Sequence, residues 1–276
     1  MSKSFIHGIW GVYKHQDNHW YTRRPKIDND MKLELLNPYA PPTKVYVFGK
    51  DNYKRIIDMG FDESTVVMVD KKPCVFNMET EQYRHKIEVW KCGLEEFDEI
   101  VFLDWDCVPI HQIPNNFWNV MAQGEKIQAT LYMYTIRRAH WRTGDTRKLS
   151  ASTFVYVRNK KIVNDIIKVW EENGRLWQEE IALSKYIDEI NGGWHGIEKY
   201  KKYEPKYHNL FWYFDPDFLE TKIPLFFHYN KNKVKFILGN GKNVKSRLDY
   251  MYEKEISDLK KIIQEQREKI NLESSL

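Results

Sequence analysis

The run Ile100-Val101-Phe102-Leu103-Asp104-Trp105-Asp106-Cys107-Val108-Pro109 constrains the chain more than any other segment. Four consecutive large apolar residues, entered from Asp98-Glu99 and left through two carboxylates, describe a strand buried on both faces, as strands of parallel sheets are. A parallel strand reaches its neighbour only through a crossover of a dozen or more residues, usually a helix. The residues upstream supply one, because Ile87, Trp90, Leu94 and Phe97 recur at three- and four-residue spacing across 81–97.

The same alternation runs through the chain. Residues 5–10 read as a first strand that stops at Gly11 and empties into a polar, aromatic loop through Arg24. Residues 44–49 are a second strand, 52–59 a helix closed by Gly60, and 66–69 a third strand. Further on, 127–136 and 153–157 are β-rich, 162–172 and 178–190 helical, and 225–229 a late strand. The pattern predicts an α/β fold with a mostly parallel central sheet flanked by helices. At 276 residues one domain of this class is an ordinary size, and no linker or internal repeat divides it. We expect a single domain over 1–245 followed by a C-terminal amphipathic helix over 246–276, where Ile256, Leu259, Ile263 and Ile270 are spaced for one face. That seam covers barely two heptads, so it suits packing back on the domain as well as a homodimer contact.

Composition excludes several classes of function. No run of 18 apolar residues occurs, and the first 25 residues lack an apolar core, so neither a transmembrane segment nor a signal peptide is expected. Cys74, Cys92 and Cys107 form no Cys-x-x-Cys spacing, which points away from a disulfide framework or structural zinc. The expectation is a cytoplasmic protein, with the terminal helix available for a peripheral contact at a membrane surface. Lys and Arg exceed Asp and Glu by 43 to 39, too slight a bias for a dedicated nucleic-acid binder and enough for an anionic small ligand.

In an extended chain residues i and i+2 point the same way. Asp104 and Asp106 are therefore expected on one side of the strand end, with Trp105 on the other, at the edge where open α/β sheets bind ligands. Paired carboxylates there suit a divalent cation that keeps positions for water and phosphate.

The path from Lys86 through a helix into IVFLDWDCV resembles the segment of GT-A-fold glycosyltransferases in which a DxD closes a strand and holds manganese or magnesium on the diphosphate of a nucleotide sugar. FIHGIWG, from Phe5, is similar to the first strand of the capsular-polysaccharide and yeast-mannosyltransferase type, and PLFFHYNKNKVKF, from Pro224, to the late His-containing strand of glycogenin-type enzymes. The resemblance implies a single GT-A-like, Rossmann-related domain that uses Mn²⁺ or Mg²⁺ and a nucleotide-diphosphate sugar, a UDP-sugar being favoured. The sugar would pass to a hydroxyl of a glycan, protein or lipid-linked acceptor. It implies Asp104, Asp106 and His228 as metal ligands, with Asp106 at the reaction centre. Lys231, Lys233 and Lys235 are the basic candidates for the phosphates, although the Gly and the Lys-Pro-Trp of that motif are missing. Arg84 and Lys86 would reach phosphates or base, and Trp10 and Tyr13 would hold the nucleobase. Ser150–Phe154 would line the sugar. Glu179 and Glu180, in QEEIALS, are similar to the acidic element that contacts sugar or acceptor, where one would serve as base in an inverting reaction. The late His strand leans the expectation slightly towards retention. The Arg-rich run 137–148 around Gly144 suits a lid over an anionic donor.

Physical chemistry arrives at the same residue types. Transfer from a nucleoside diphosphate builds negative charge on the departing phosphate, which a metal and one or two Lys stabilise. A haloacid-dehalogenase-type phosphatase, with Asp104 as nucleophile and Asp106 as acid/base, is the main rival. Against it, about 100 residues precede the motif, and Gly144-Asp145 lacks the following carboxylate such enzymes need. A non-enzymatic carbohydrate-binding module would have no use for the Asp pair. A nucleotidyltransferase would show a Gly-rich loop where only Gly8 and Gly11 stand.

Overall fold

The computed structural model describes residues 1–12, 23–75, 81–122, 127–132, 149–172, 179–186, 193–194, 210–211, 226–228 and 231–274. The strands in chain order are β1 (Lys3–Ile9), β2 (Gly11–Val12), β3 (Thr43–Phe48), β4 (Val66–Val69), β5 (Cys74–Val75), β6 (Glu99–Leu103), β7 (Cys107–Pro109), β8 (Ile127–Tyr132), β9 (Leu149–Val157), β10 (Gly193–Trp194), β11 (Leu210–Phe211) and β12 (Phe226–His228). The helices are α1 (Arg23–Leu36), α2 (Lys50–Asp58), α3 (Glu81–Glu96), α4 (Phe117–Met121), α5 (Lys160–Glu172), α6 (Glu179–Lys185), α7 (Lys231–Leu238) and α8 (Val244–Ser274).

Seven strands form one sheet in the order β10-β8-β9-β6-β1-β3-β4. β1 is parallel to both β3 and β6, β3 to β4, and β8 to β10, while β9 runs against β6 and β8. The sheet is thus mostly parallel and flanked by helices, as the alternation predicts. Its two faces are read from β6, whose five residues are all buried. Ile100 and Phe102 join Ile6, Ile87, Trp90 and Trp170 under α3 and α5. Val101 and Leu103 join Phe5, Phe117, Phe154 and Phe226 on the other side. Each such side chain contributes roughly 1.5–3 kcal/mol through burial, before the entropy of ordering it.

α3 lies in close contact with the sheet at two glycines. A Cβ on Gly8 of β1 would stand 2.7 and 2.8 Å from the two γ-methyls of Val89, and one on Gly93 of α3 would stand 2.8 Å from Ile6 Cδ1. Two glycines on facing surfaces therefore set the helix-to-sheet distance, and with it the position of every side chain α3 presents at the sheet's carboxyl edge.

One sequence expectation is corrected. α1 begins at Arg23, inside the stretch read as a loop. Its apolar residues mark no helical face, because Asp30 is buried with Met31 and Leu33 while Leu35 and Leu36 are exposed. Pro25 sits in the first turn, where its missing N–H has no intrahelical role. The expected late strand is present at Phe226–His228, where it pairs antiparallel with β7 and β11 rather than within the seven-stranded sheet. The lysines after it belong to a helix, since Val234, Ile237 and Leu238 bury a face at three- and four-residue spacing against Leu33 and Val108. α8 starts at Val244 and packs its first turns, through Val244, Leu248 and Met251, into the same cluster.

Gly8→Ala should lower stability by about 1–3 kcal/mol, because the methyl must displace Val89 in a packed interface. Urea unfolding reads this directly, and an unchanged midpoint would show that α3 can move off the sheet without penalty.

Candidate active site

Chain order along the sheet reverses beside β1: β3 and β4 lie to one side and β6 to the other. In an open parallel sheet this switch point, at the carboxyl ends of the strands, is where ligands bind. β1 ends there at Ile9, followed by Trp10, and β6 ends at Leu103, followed by Asp104.

The Asp-Trp-Asp segment is a tight turn, which corrects the extended geometry expected for it. The Cys107 N–H donates to Asp104 O at 2.8 Å, and the chain then returns as β7. Trp105 accordingly folds onto β1. Its ring stacks on His7 with centroids 4.1 Å apart and planes 15° apart, and its Nε1–H donates to Gly8 O at 2.9 Å. Phe61 meets the indole edge-on. The buried His7 holds the strand end itself, with Nδ1 2.8 Å from Leu103 O. A carbonyl can only accept, so Nδ1 carries the proton. His7 Nε2 lies 3.4 Å from Glu34 Oε1 of α1.

Three charged side chains from distant parts of the sequence meet beside this turn. Lys86, 7% exposed and on the second turn of α3, places Nζ 2.8 Å from Asp104 Oδ2 and 3.0 Å from Glu179 Oε1 at the start of α6. The ammonium also lies 5.3 Å from the Phe102 ring centre. Burial alone would lower the Lys86 pKa, but Asp104 and Glu179 outweigh it and raise the pKa, so the ammonium stays charged. Burial raises the Asp104 pKa; Lys86 opposes the shift, Asp106 adds to it, and the balance is upward. The Cys107 thiol is pushed up by burial and then by both Asp106 and Asp104. Two carboxylates thus stand at the turn beside one ammonium, and hard oxygen donors of this kind fit a divalent cation. Among the described residues no group of three or more His, Cys, Asp and Glu forms a metal cluster.

The other expected site residues fall as follows. His228 is the backbone partner of Cys107 in the β12–β7 ladder, which sets it beside Asp106; its side chain, with those of Glu180 in α6 and Lys231 in α7, lies outside the described residues. Tyr13 and 137–148 also lie outside them. Trp10 is half-buried, its ring centre 6.4 Å from that of Phe102, and its carbonyl accepts from Cys74 N–H at 3.1 Å. Arg84 is not brought to Lys86. Two residues apart on a helix they face different ways, and Arg84 pairs with Glu88 at 3.2 Å and Glu171 at 3.6 Å on the side facing α5. Lys233 is half-buried on α7 and Lys235 exposed. Ser150–Thr153 lead to Phe154, the partner of Leu103, at the strand end that carries Asp104. The bracing of Trp105 by His7 and Gly8 was missed, although a His inside the apolar run of β1 was its visible signal. The Lys86–Glu179 contact joins residues 93 apart and left no local trace.

No family model matches the chain, and no curated protein sequence matches it. Among solved structures it is similar to the glycosyltransferase GlyE of Streptococcus pneumoniae TIGR4, at 13% identity over 93% of this chain and TM-score 0.42. It is similar also to an active-site mutant of LgtC, at 10% identity over 70% of this chain and 72% of that one with TM-score 0.44. A third is the bifunctional glycosyltransferase WbbM, at 7% identity over 67% of this chain with TM-score 0.40. The chain spans 64% of the length of GlyE and 37% of that of WbbM. Likeness at this level assigns no activity.

Lys86→Met removes the ammonium paired with Asp104 and Glu179. Breaking a buried pair costs about 3–5 kcal/mol, and the lower end is expected because Asp104 keeps 22% of its side chain exposed. An acid whose pKa is raised by folding contributes stability that is present below its ordinary pKa and lost as pH rises through the raised value. The variant's deficit should therefore be largest at neutral pH and shrink as pH falls towards the ordinary carboxylate range. Denaturant unfolding at two pH values checks this; a deficit that grew in acid would place the charge balance elsewhere.

Proposed function

We propose that this chain is a metal-dependent glycosyltransferase that moves a sugar from a nucleotide-diphosphate sugar, with a UDP-sugar favoured, to an acceptor hydroxyl. The observation that supports it best is the convergence of Asp104, Asp106, Lys86 and Glu179 at the carboxyl edge of the β1/β6 switch point. Such a constellation suits a ligand with a dense anionic part and a polyol part.

Asp104 and Asp106, with His228, would hold Mn²⁺ or Mg²⁺, which when bound supplies Lewis-acid stabilisation of charge on a departing diphosphate. Lys86 holds Asp104 through a charge-assisted hydrogen bond, so the carboxylate meets its ligand without losing side-chain freedom at that moment. Glu179 presents its carboxylate on the same side, where positive charge on a sugar ring in the transition state would be stabilised. Trp10, at the end of β1, offers an aromatic face for a nucleobase, and Lys231 and Lys233 lie on the helix that follows the His strand. In a retaining transfer the departing phosphate accepts the acceptor's proton. In an inverting one Glu179 or Glu180 would take it. The acceptor would be a glycan, a protein or a lipid-linked saccharide.

Thermal shift and donor hydrolysis against a set of UDP-, GDP- and other nucleotide sugars, with and without Mn²⁺, test this reading. A rise in melting temperature that needs both metal and one class of nucleotide is expected, and Asp106→Asn should lose it together with about 100-fold or more of the turnover. Metal-dependent release of phosphate from simple phosphoesters, with no response to any nucleotide sugar, would contradict it in favour of a phosphatase.

A further inference from the structure

α7, the turn after it and the first residues of α8 form a basic stretch. From Lys231 to Arg247 stand six Lys or Arg and no Asp or Glu; the first acid after them is Asp249, which pairs with Lys245 at 2.8 Å, and from Glu253 onward acids and bases alternate. On α7 the buried residues Val234, Ile237 and Leu238 define the inward face. At about 100° per residue, Phe236 then points outward with Lys233 and Lys235 to either side of it. Phe236 is 48% exposed and its ring centre lies 5.9 Å from that of Tyr250 on α8, itself 54% exposed. The corner extends onto α1, where Leu36 lies against Gly241 in the α7–α8 turn, and Leu35 and Leu36 are both exposed. Four of the six large apolar side chains exposed among the described residues thus lie on α1, α7 and α8.

We infer that this corner docks on an anionic membrane surface, with Phe236 and Tyr250 entering the headgroup layer and the exposed Lys235 and Lys242 meeting lipid phosphates and carboxylates. The charge pattern selects this occupant. A second copy of the chain would bring the same basic corner against itself, whereas aromatic rings flanked by lysines match the polar boundary of an anionic leaflet. No helix among the described residues is long and apolar enough to cross a membrane, so attachment through this corner is peripheral. The same packing links it to the strand-end site, because Val108 and Ile110, just past Asp106, share a cluster with Val234 and Leu248. Attachment of this kind is independent of whether that site transfers a sugar.

Flotation of the full chain with phosphatidylcholine vesicles, with and without phosphatidylserine, tests it at low and high salt. Expected are binding to the anionic vesicles alone, loss of that binding at high salt, and a drop of about tenfold or more in both Phe236→Ser/Tyr250→Ser and Lys235→Glu/Lys242→Glu. Unchanged melting temperatures certify that the variants are folded. Equal binding to neutral vesicles, no binding by the parent chain, or full binding by either folded variant would overturn the inference. So would concentration-dependent self-association of the parent chain that Phe236→Ser/Tyr250→Ser abolishes, which would assign the corner to a second copy.

Discussion

The contact of Lys86 with Asp104 and Glu179 organises the molecule around its candidate site. One buried ammonium ties the helix before β6, the turn after β6 and the start of α6 into a single electrostatic unit. Burying these charges is unfavourable in itself, and a hydrophobic trio of similar volume would be at least as stable. On the proposed reading, their presence at the carboxyl edge of the sheet is preorganisation for a charged ligand.

The rest of the architecture keeps that unit in register. α3 can bring Lys86 to the end of β6 because Gly8 and Gly93 let helix and sheet approach to contact distance. The turn itself is pinned from β1, where His7 holds Leu103 O and stacks on Trp105, and Gly8 O accepts from the indole. Glycine 8 thus serves two ends, clearing space for Val89 on one face and offering its carbonyl to Trp105. From the turn the chain returns as β7, whose partner β12 carries His228 to the position opposite Cys107. Apolar clusters on both faces of β6 fix the strand against sliding, since a shift of one residue would exchange Ile100 and Phe102 with Val101 and Leu103.

Much of this was legible in the residues. The strand–helix alternation, the burial of Ile100–Leu103 and the placement of Asp104 just past a strand end follow from periodicity and burial alone, which act locally. What escaped the sequence depended on longer range. α1 carries no clear apolar stripe because part of its inward face is polar, with Asp30 buried beside Met31. The helix that carries the lysines after His228 was not read from the sequence, although Val234, Ile237 and Leu238 have helical spacing; packing against Leu33 and Val108 decides for it. The turn at Asp104–Cys107 is set by one backbone hydrogen bond and by the pull of Trp105 towards β1, neither visible in a pattern that reads equally well as extended chain. Arg84 and Lys86, adjacent in sequence reading, are separated by the helical twist into a surface ion-pair network and the candidate site.

The central claim is that the strand-end carboxylates form a metal and nucleotide site. Crystals grown with Mn²⁺ and a nucleoside diphosphate, measured at the manganese absorption edge, test it most directly. The account predicts one anomalous peak within bonding distance of Asp104 and Asp106, with the diphosphate oxygens on the same ion and Lys86 still paired to Asp104. Nucleotide bound with no metal at these carboxylates, or manganese held elsewhere on the chain, would contradict it.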